Sequence, residues 1–302
     1  MAGAIGQAPF ANVPDSGLTS LWGLDKIKAP EVQAKGFKGQ GVTVAVLDSG
    51  IDYFNSYLSN NIWTNSREIP GNKIDDDRNG YVDDTRGWDF TQNDNTPLDI
   101  DGHGTFVAGI IADPVFGVAP GAKVMPVKVA ANDLAFDNDI ADGIYYAVKN
   151  GADIINISYG QQSEINLKLQ QAIRFARENN VAIVMSAGNQ RQQGATQPTN
   201  PALFSVLGNY GIAVGAIDQT GKLADFSNPA GNNRINYVVA PGVDITSDDL
   251  GDSLTSWSGT SFSAPYVAGV AALMLSANPN LTPSQIESIL TATANPKGIT
   301  AL

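Results

Sequence analysis

The sequence predicts an α/β fold of three layers, a mainly parallel central sheet covered by helices on both faces. Two observations carry the prediction. Short runs of apolar, largely β-branched residues recur at 42–47, 124–129, 154–157, 181–185 and 212–217, without the polar alternation of a half-exposed strand. Segments of helical period lie between them: Ile140, Ile144 and Val148 recur every four residues, as do Ile165, Leu169 and Ile173. Strands alternating with crossover helices pair in parallel through right-handed connections, and their chemistry collects at the carboxyl edge of the sheet.

The 302 residues, 43% hydrophobic and 16% charged, suffice for one large core, and no compositional break or linker divides them. The expected organisation is one domain over residues 21–302 after an N-terminal extension at 1–20. Acidic residues outnumber basic ones by 30 to 18, a formal charge of −12 that makes a phosphate backbone an unfavourable partner, so nucleic acid is not expected. Much of that charge lies between Asp75 and Asp101, where cations are the natural counterpart. The absence of cysteine removes disulfides, thiol nucleophiles and thiolate zinc sites. The first residues lack the basic start and apolar run of an export signal. No later segment holds about 18 uninterrupted apolar residues, so no membrane partner is expected.

Taken in order, the first strand ends in Asp48-Ser49-Gly50, which brings a carboxylate to the carboxyl edge. In the acidic stretch, Asp75, Asp77, Asn79, Tyr81 and Asp83 alternate around Gly80 as the ligands of an EF-hand loop do. Calcium is the cofactor this pattern predicts, although Arg86 stands where such a loop would carry its closing glutamate. His103, the only histidine, lies in Asp101-Gly102-His103-Gly104-Thr105 before an apolar stretch at 106–111. Any imidazole general base must be this residue. Its flanking glycines permit a close approach that an ordinary surface or capping histidine does not need.

The strand at 181–185 leads into Ser186-Ala187-Gly188-Asn189, at the same edge as Asp48. Further on, Ser258-Gly259-Thr260-Ser261 delivers a serine to the start of a helix expected over 261–277, where N–H groups and the helix dipole face negative charge. A simple N-cap would also account for that serine. Pro265 is compatible with the helix if it falls in the opening turn, where N–H groups have no intrahelical partner. A last helix is expected at 283–292. The chain order Asp48, His103, Ser261 matches one of the convergent triad arrangements.

These four segments, with Ala264-Pro265 after the serine, resemble the subtilase family, and the likeness runs from about Trp22 to Ala292. The resemblance implies a three-layer subtilisin-like fold and a serine endopeptidase domain at 21–302. It implies that Ser261 forms an acyl-enzyme, that His103 is the base oriented by Asp48, and that the Asn189 amide and the Ser261 N–H hold the oxyanion. Ser158, Tyr159 and Gly160 on one side, and Ala131 and Asn132 on the other, would pair with an extended polypeptide substrate. Gln190 and Asn200 would shape the primary pocket. Because main-chain pairing tolerates many side chains, broad specificity is expected. A binding module without activity, and a transpeptidase or macrocyclase using the same triad, are the competing readings.

The segment with Asp89, Asp94 and Thr96 is similar to a weaker calcium loop of thermitase-like subtilases, with Gln92 in place of an acid. Phe106 and Tyr266 replace two histidines usual in the family, and Ser263 replaces an alanine. The connection at 112–118 is too short for the extended calcium loop of many relatives. The resemblance further implies a monomer with a propeptide or protein inhibitor as partner, and a secreted, extracytoplasmic location, with an intracellular role left open.

Overall fold

The computed structural model describes residues 21–132 and 134–295, so the N-terminal extension expected at 1–20 lies outside the described residues. Two short helices, α1 (Trp22–Ile27) and α2 (Ala29–Gln33), lead in. The chain then runs through β1 (Thr43–Asp48), β2 (Trp88–Asp89), α3 (His103–Ala112), β3 (Lys123–Lys128) and the two-residue arms β4 (Ala130–Ala131) and β5 (Leu134–Ala135). Next come α4 (Asp137–Lys149), β6 (Ile154–Ile157), α5 (Leu167–Glu178), β7 (Ala182–Ser186), α6 (Ala202–Leu207) and β8 (Ile212–Ile217). The chain closes with β9 (Tyr237–Pro241), a hairpin of β10 (Ile245–Asp249) and β11 (Ser253–Trp257), α7 (Thr260–Ala277) and α8 (Pro283–Thr293).

The seven-stranded sheet has the order β2-β3-β1-β6-β7-β8-β9 with every pair parallel. Its two faces bury different halves of the same apolar runs. Val44 and Val46 of β1 pack with Val184, Val214 and the residues of α3 and α7, whereas Ala45 and Leu47 pack with Ile155, Ile157, Met185 and the inner faces of α4 and α5. This is why the strands read as continuous hydrophobic stretches: each pleat surface has a helical layer against it. Helix α4 buries Ile140 and Ile144 and exposes its opposite face. Helix α7 is apolar all round because it is enclosed: it meets the length and hydropathy expected of a membrane span, yet 72% of that window is buried inside the molecule.

Several strands were not legible from periodicity. Strand β2 is only two residues long, β9 ends in a proline at the edge of the sheet, and the hairpin strands carry Ser, Thr and Asp rather than an apolar run. One expectation is corrected. Pro265 does not lie in the opening turn of α7 but is the sixth residue of the helix. The carbonyl that its missing N–H would have served belongs to Ser261.

Candidate active site

Asp48 is the last residue of β1 and His103 the first of α3, so the strand end and helix start face each other. The glycines around the histidine have separate roles. Gly102, ahead of the helix, has φ 100°, a left-handed conformation that favours glycine. A Cβ on Gly104 would fall 2.0 Å from the Gly50 carbonyl oxygen, so α3 can approach β1 this closely only without a side chain there.

Nδ1 of His103 lies 2.7 Å from Asp48 Oδ1, which also accepts the Ser49 N–H at 2.8 Å. That pairing makes Nδ1 the protonated nitrogen and leaves Nε2 as acceptor. The histidine side chain is 28% exposed, and that of Asp48 is buried. Burial works against the imidazolium, but the charge and hydrogen bond of Asp48, helped by Asp101 and Asp99, outweigh it and raise the His103 pKa above its ordinary value of 6.5.

Asp99, which sequence reasoning missed, organises this corner. Its Oδ1 accepts Ser49 Oγ and the N–H groups of Asp101 and Gly102, while its Oδ2 accepts the N–H and hydroxyl of Thr105. Ser49 Oγ accepts the Gly104 N–H in turn. The first turn of α3 is thus tied to the end of β1 by side chains, which no periodic signal in the sequence encodes.

Ser261 is the second residue of α7, and its Oγ donates to the Ser158 carbonyl at 3.1 Å. Asn189, just past β7, uses its Oδ1 to accept both the N–H and the hydroxyl of Thr260 at 2.9 Å. This fixes the amide so that Nδ2 turns away from Thr260, beside Gly259. Gln190 supports the same loop, its Oε1 accepting the Asn189 N–H at 2.9 Å. Asn200 spends its side chain on Ser163 and Phe204.

The cleft beside His103 is lined by Asp48, Val129, Ala130, Ser158 and Tyr159, so the Ser158–Gly160 segment and the β4 arm stand at its two sides. Ala131 belongs to that arm, and Asn132, with φ 52°, turns the chain after it. Gly160 has no room for a Cβ, which would come 2.4 Å from Thr199 Oγ1. The unusual residues sit behind the site. Phe106 is fully buried and packs on Trp257 and Phe262, with ring centroids 4.8 and 4.6 Å away, and those two rings flank His103. Tyr266 is buried against Gly23, and Ser263 donates to the Ala240 carbonyl.

In the first acidic loop, ligand oxygens of Glu68, Asp77 and Asp84 converge to within 4.8 Å of one another. Glu68 and Asp84 were not singled out by spacing. Asp75 accepts the N–H groups of Asn79 and Gly80, Asp83 those of Asn72 and Lys73, and Asn79 Oδ1 that of Tyr81, so these residues shape the loop around the cluster. The Tyr81 ring packs edge-on against Trp88, Phe90 and Tyr146. An all-carboxylate oxygen set fits a hard cation.

The second loop is built differently. Asp89 is fully buried, its Oδ1 accepts Thr91 and Gln92, and its Oδ2 faces the buried ammonium of Lys128 at 3.7 Å. Asp94 and Thr96 form a turn in which the Asp94 carboxylate accepts the Thr96 N–H. Asp89, the first residue of the calcium loop expected at Asp89, Asp94 and Thr96, is thus one half of an internal ion pair.

Comparison with known proteins gives concordant findings. Residues 39–302 match the model of the subtilase family. Subtilisin Savinase of Lederbergia lenta is 35% identical over 287 residues, covering 93% of each chain. Subtilisin DY of Bacillus licheniformis is 34% identical over 287 residues, with 93% of each chain covered. The crystal structure of a cold-adapted subtilisin-like serine proteinase superposes with a TM-score of 0.71 at 28% identity, covering 87% of this chain and 86% of that one.

Proposed function

We propose, from the premise that this chain belongs to the subtilase family and is a subtilisin-like serine endopeptidase, that it cleaves polypeptides through an acyl-enzyme on Ser261, within a catalytic domain at 21–302. The observation that carries this reading is the pairing of Asp48 and His103 at 2.7 Å beside the start of the helix that bears Ser261, where the Phe262 ring lies 5.3 Å from the imidazole and Thr260 is held by the Asn189 amide. Four distant segments would not assemble such a set for packing alone.

In the proposed reaction the Ser261 hydroxyl leaves the Ser158 carbonyl and gives its proton to Nε2 of His103 while Oγ bonds to the substrate carbonyl carbon. The charge that develops on the carbonyl oxygen is met by Nδ2 of Asn189 and the Ser261 N–H. His103 then returns the proton to the leaving amine as the C–N bond breaks, and water resolves the ester by the same base. Asp48 keeps the imidazole in the required tautomer throughout. Extended substrate would pair with Ser158–Gly160 and with the β4 arm through main-chain groups, which supports broad specificity. The Glu68, Asp77 and Asp84 cluster would hold calcium as a stabilising ion remote from the chemistry. An extracytoplasmic location accords with this reading.

The test is labelling with a fluorophosphonate probe together with hydrolysis of an unstructured polypeptide. Labelling and cleavage by the unaltered chain, both lost in Ser261→Ala, are expected. A folded chain that takes no label would leave a binding module, and amide-ligated rather than hydrolysed products by mass spectrometry would make it a transpeptidase.

A further inference from the structure

The proline in the second turn of α7 leaves a gap that is filled from another layer of the molecule. In a regular helix the N–H of residue 265 would reach the carbonyl of residue 261, and Pro265 has none. The Ser261 carbonyl accepts instead from Ser158 Oγ at 2.7 Å. Ser158 is 7% exposed, and its hydroxyl accepts from Asn156 Nδ2 at 3.0 Å. Asn156 is fully buried on β6, and the alternation of that strand turns it to the face that α7 covers. With its single hydrogen committed to Ser261 and a lone pair to Asn156, the Ser158 hydroxyl has one orientation.

The same two residues are joined in the opposite sense, since Ser261 Oγ donates to the Ser158 carbonyl. One residue earlier, the N–H of Thr260 is held by Asn189. Residues 260 and 261 are therefore held by groups at the carboxyl edge of the sheet as well as by the helix that contains them. Resting on the reading of Ser261 as nucleophile, we propose that the Ser158 side chain is a positioning residue for the reaction. Its hydroxyl supplies the donor that Pro265 withholds and so fixes the main chain of residue 261, beyond any pairing of Ser158 with substrate.

The experiment measures kcat and KM on a peptide substrate, with rates referred to sites titrated by the fluorophosphonate, so that loss of folded protein does not count as loss of turnover. Ser158→Ala is expected to lower kcat roughly 10- to 100-fold with KM changed less than about twofold, as misplacement of a reacting group does. Adding Pro265→Ala restores an N–H opposite the Ser261 carbonyl, and the double variant is expected to recover most of the lost kcat. A role in packing alone would lower the melting temperature and leave kcat per titrated site unchanged. Wild-type kcat in Ser158→Ala, or no recovery in the double variant, would overturn the inference. Ser158→Cys, of similar size with a weaker donor, replaces the alanine variant if that fails to fold, and wild-type kcat in it is equally fatal. An unaltered chain that is neither labelled nor active would instead overturn the assignment of Ser261 itself.

Discussion

His103 shows how closely opposed effects set the chemistry of one side chain. Burial disfavours its charged form, and Asp48 together with Asp101 and Asp99 favours it more strongly, so the imidazole titrates above 6.5. A general base must be neutral. The acid limb of the kcat/KM profile is therefore expected to have its midpoint above 6.5, and Asp48→Asn, which removes the main favourable charge, should lower turnover by about 10⁴-fold, as the same change does in another serine protease. A limb centred below 6.5 would show that the carboxylate does not govern the base. At Asn189 the acceptor end of the amide is consumed by Thr260, so only the donor end is left for a substrate. Asn189→Ala should reduce kcat by roughly 100- to 1,000-fold with a smaller change in KM, a magnitude taken from the corresponding donor in a subtilisin rather than derived from this structure.

Elements meet through buried acids as well as apolar faces. The hairpin strand β10 lies against α3, and Asp248 of the strand meets Asp113 at the end of the helix, both fully buried. Asp113 uses Oδ1 to accept the Val115 and Phe116 N–H groups, while its Oδ2 and both oxygens of Asp248 have no other donor among the described residues. Burial first, and then the neighbouring Asp113 charge, push the Asp248 carboxyl up to about 9 from 3.8, so the folded pair retains a proton that the unfolded chain releases. The folded state then binds more protons than the unfolded one between those values. This contribution to stability is full below 3.8 and is lost as pH rises to about 9. Melting temperatures of a Ser261→Ala background, which avoids autolysis, should fall over that window, and Asp248→Asn should flatten the decline. An unchanged slope would count against the shared proton. The acidic loop makes the other element-scale prediction. If Glu68, Asp77 and Asp84 hold calcium, chelation should lower the melting temperature, because an ion at 100 times its dissociation constant stabilises a fold by about 2.7 kcal/mol. Identical melts with and without excess chelator would remove the ion from the cluster.

At the scale of the whole molecule, one sheet serves two cores, and alternate residues of each inner strand support opposite helical layers. Leu47, 1% exposed and one residue before Asp48, lies in the core under α4 and α5. Leu47→Ala should cost about 2–5 kcal/mol of stability, measured by denaturant unfolding of the Ser261→Ala background, since the sheet and the helices on that face can collapse only partly into the space. A loss well under 1 kcal/mol would mean that the sheet is less tightly filled than its burial indicates. The five apolar runs read from the sequence correspond to β1, β3, β6, β7 and β8, the inner strands of the sheet, because strands enclosed on both faces announce themselves by composition. The edge strands and the hairpin did not, because their stability comes from neighbours rather than from their own apolar content. The enclosed α3 and α7 were found through the motifs at their starts.

The sequence by itself determined the layer architecture, the motifs that carry Asp48, His103 and Ser261, and the family, because those follow from local periodicity and from short motifs whose chemistry is carried by the residue types. Only the tertiary structure decided which carboxylates converge as a cluster, that Lys128 neutralises Asp89, that Pro265 is compensated by Ser158, and that Asp113 meets Asp248. Each is a through-space pairing of polar groups far apart in the chain. Such pairs have no period, and their energies depend on burial that exists only after the layers have closed.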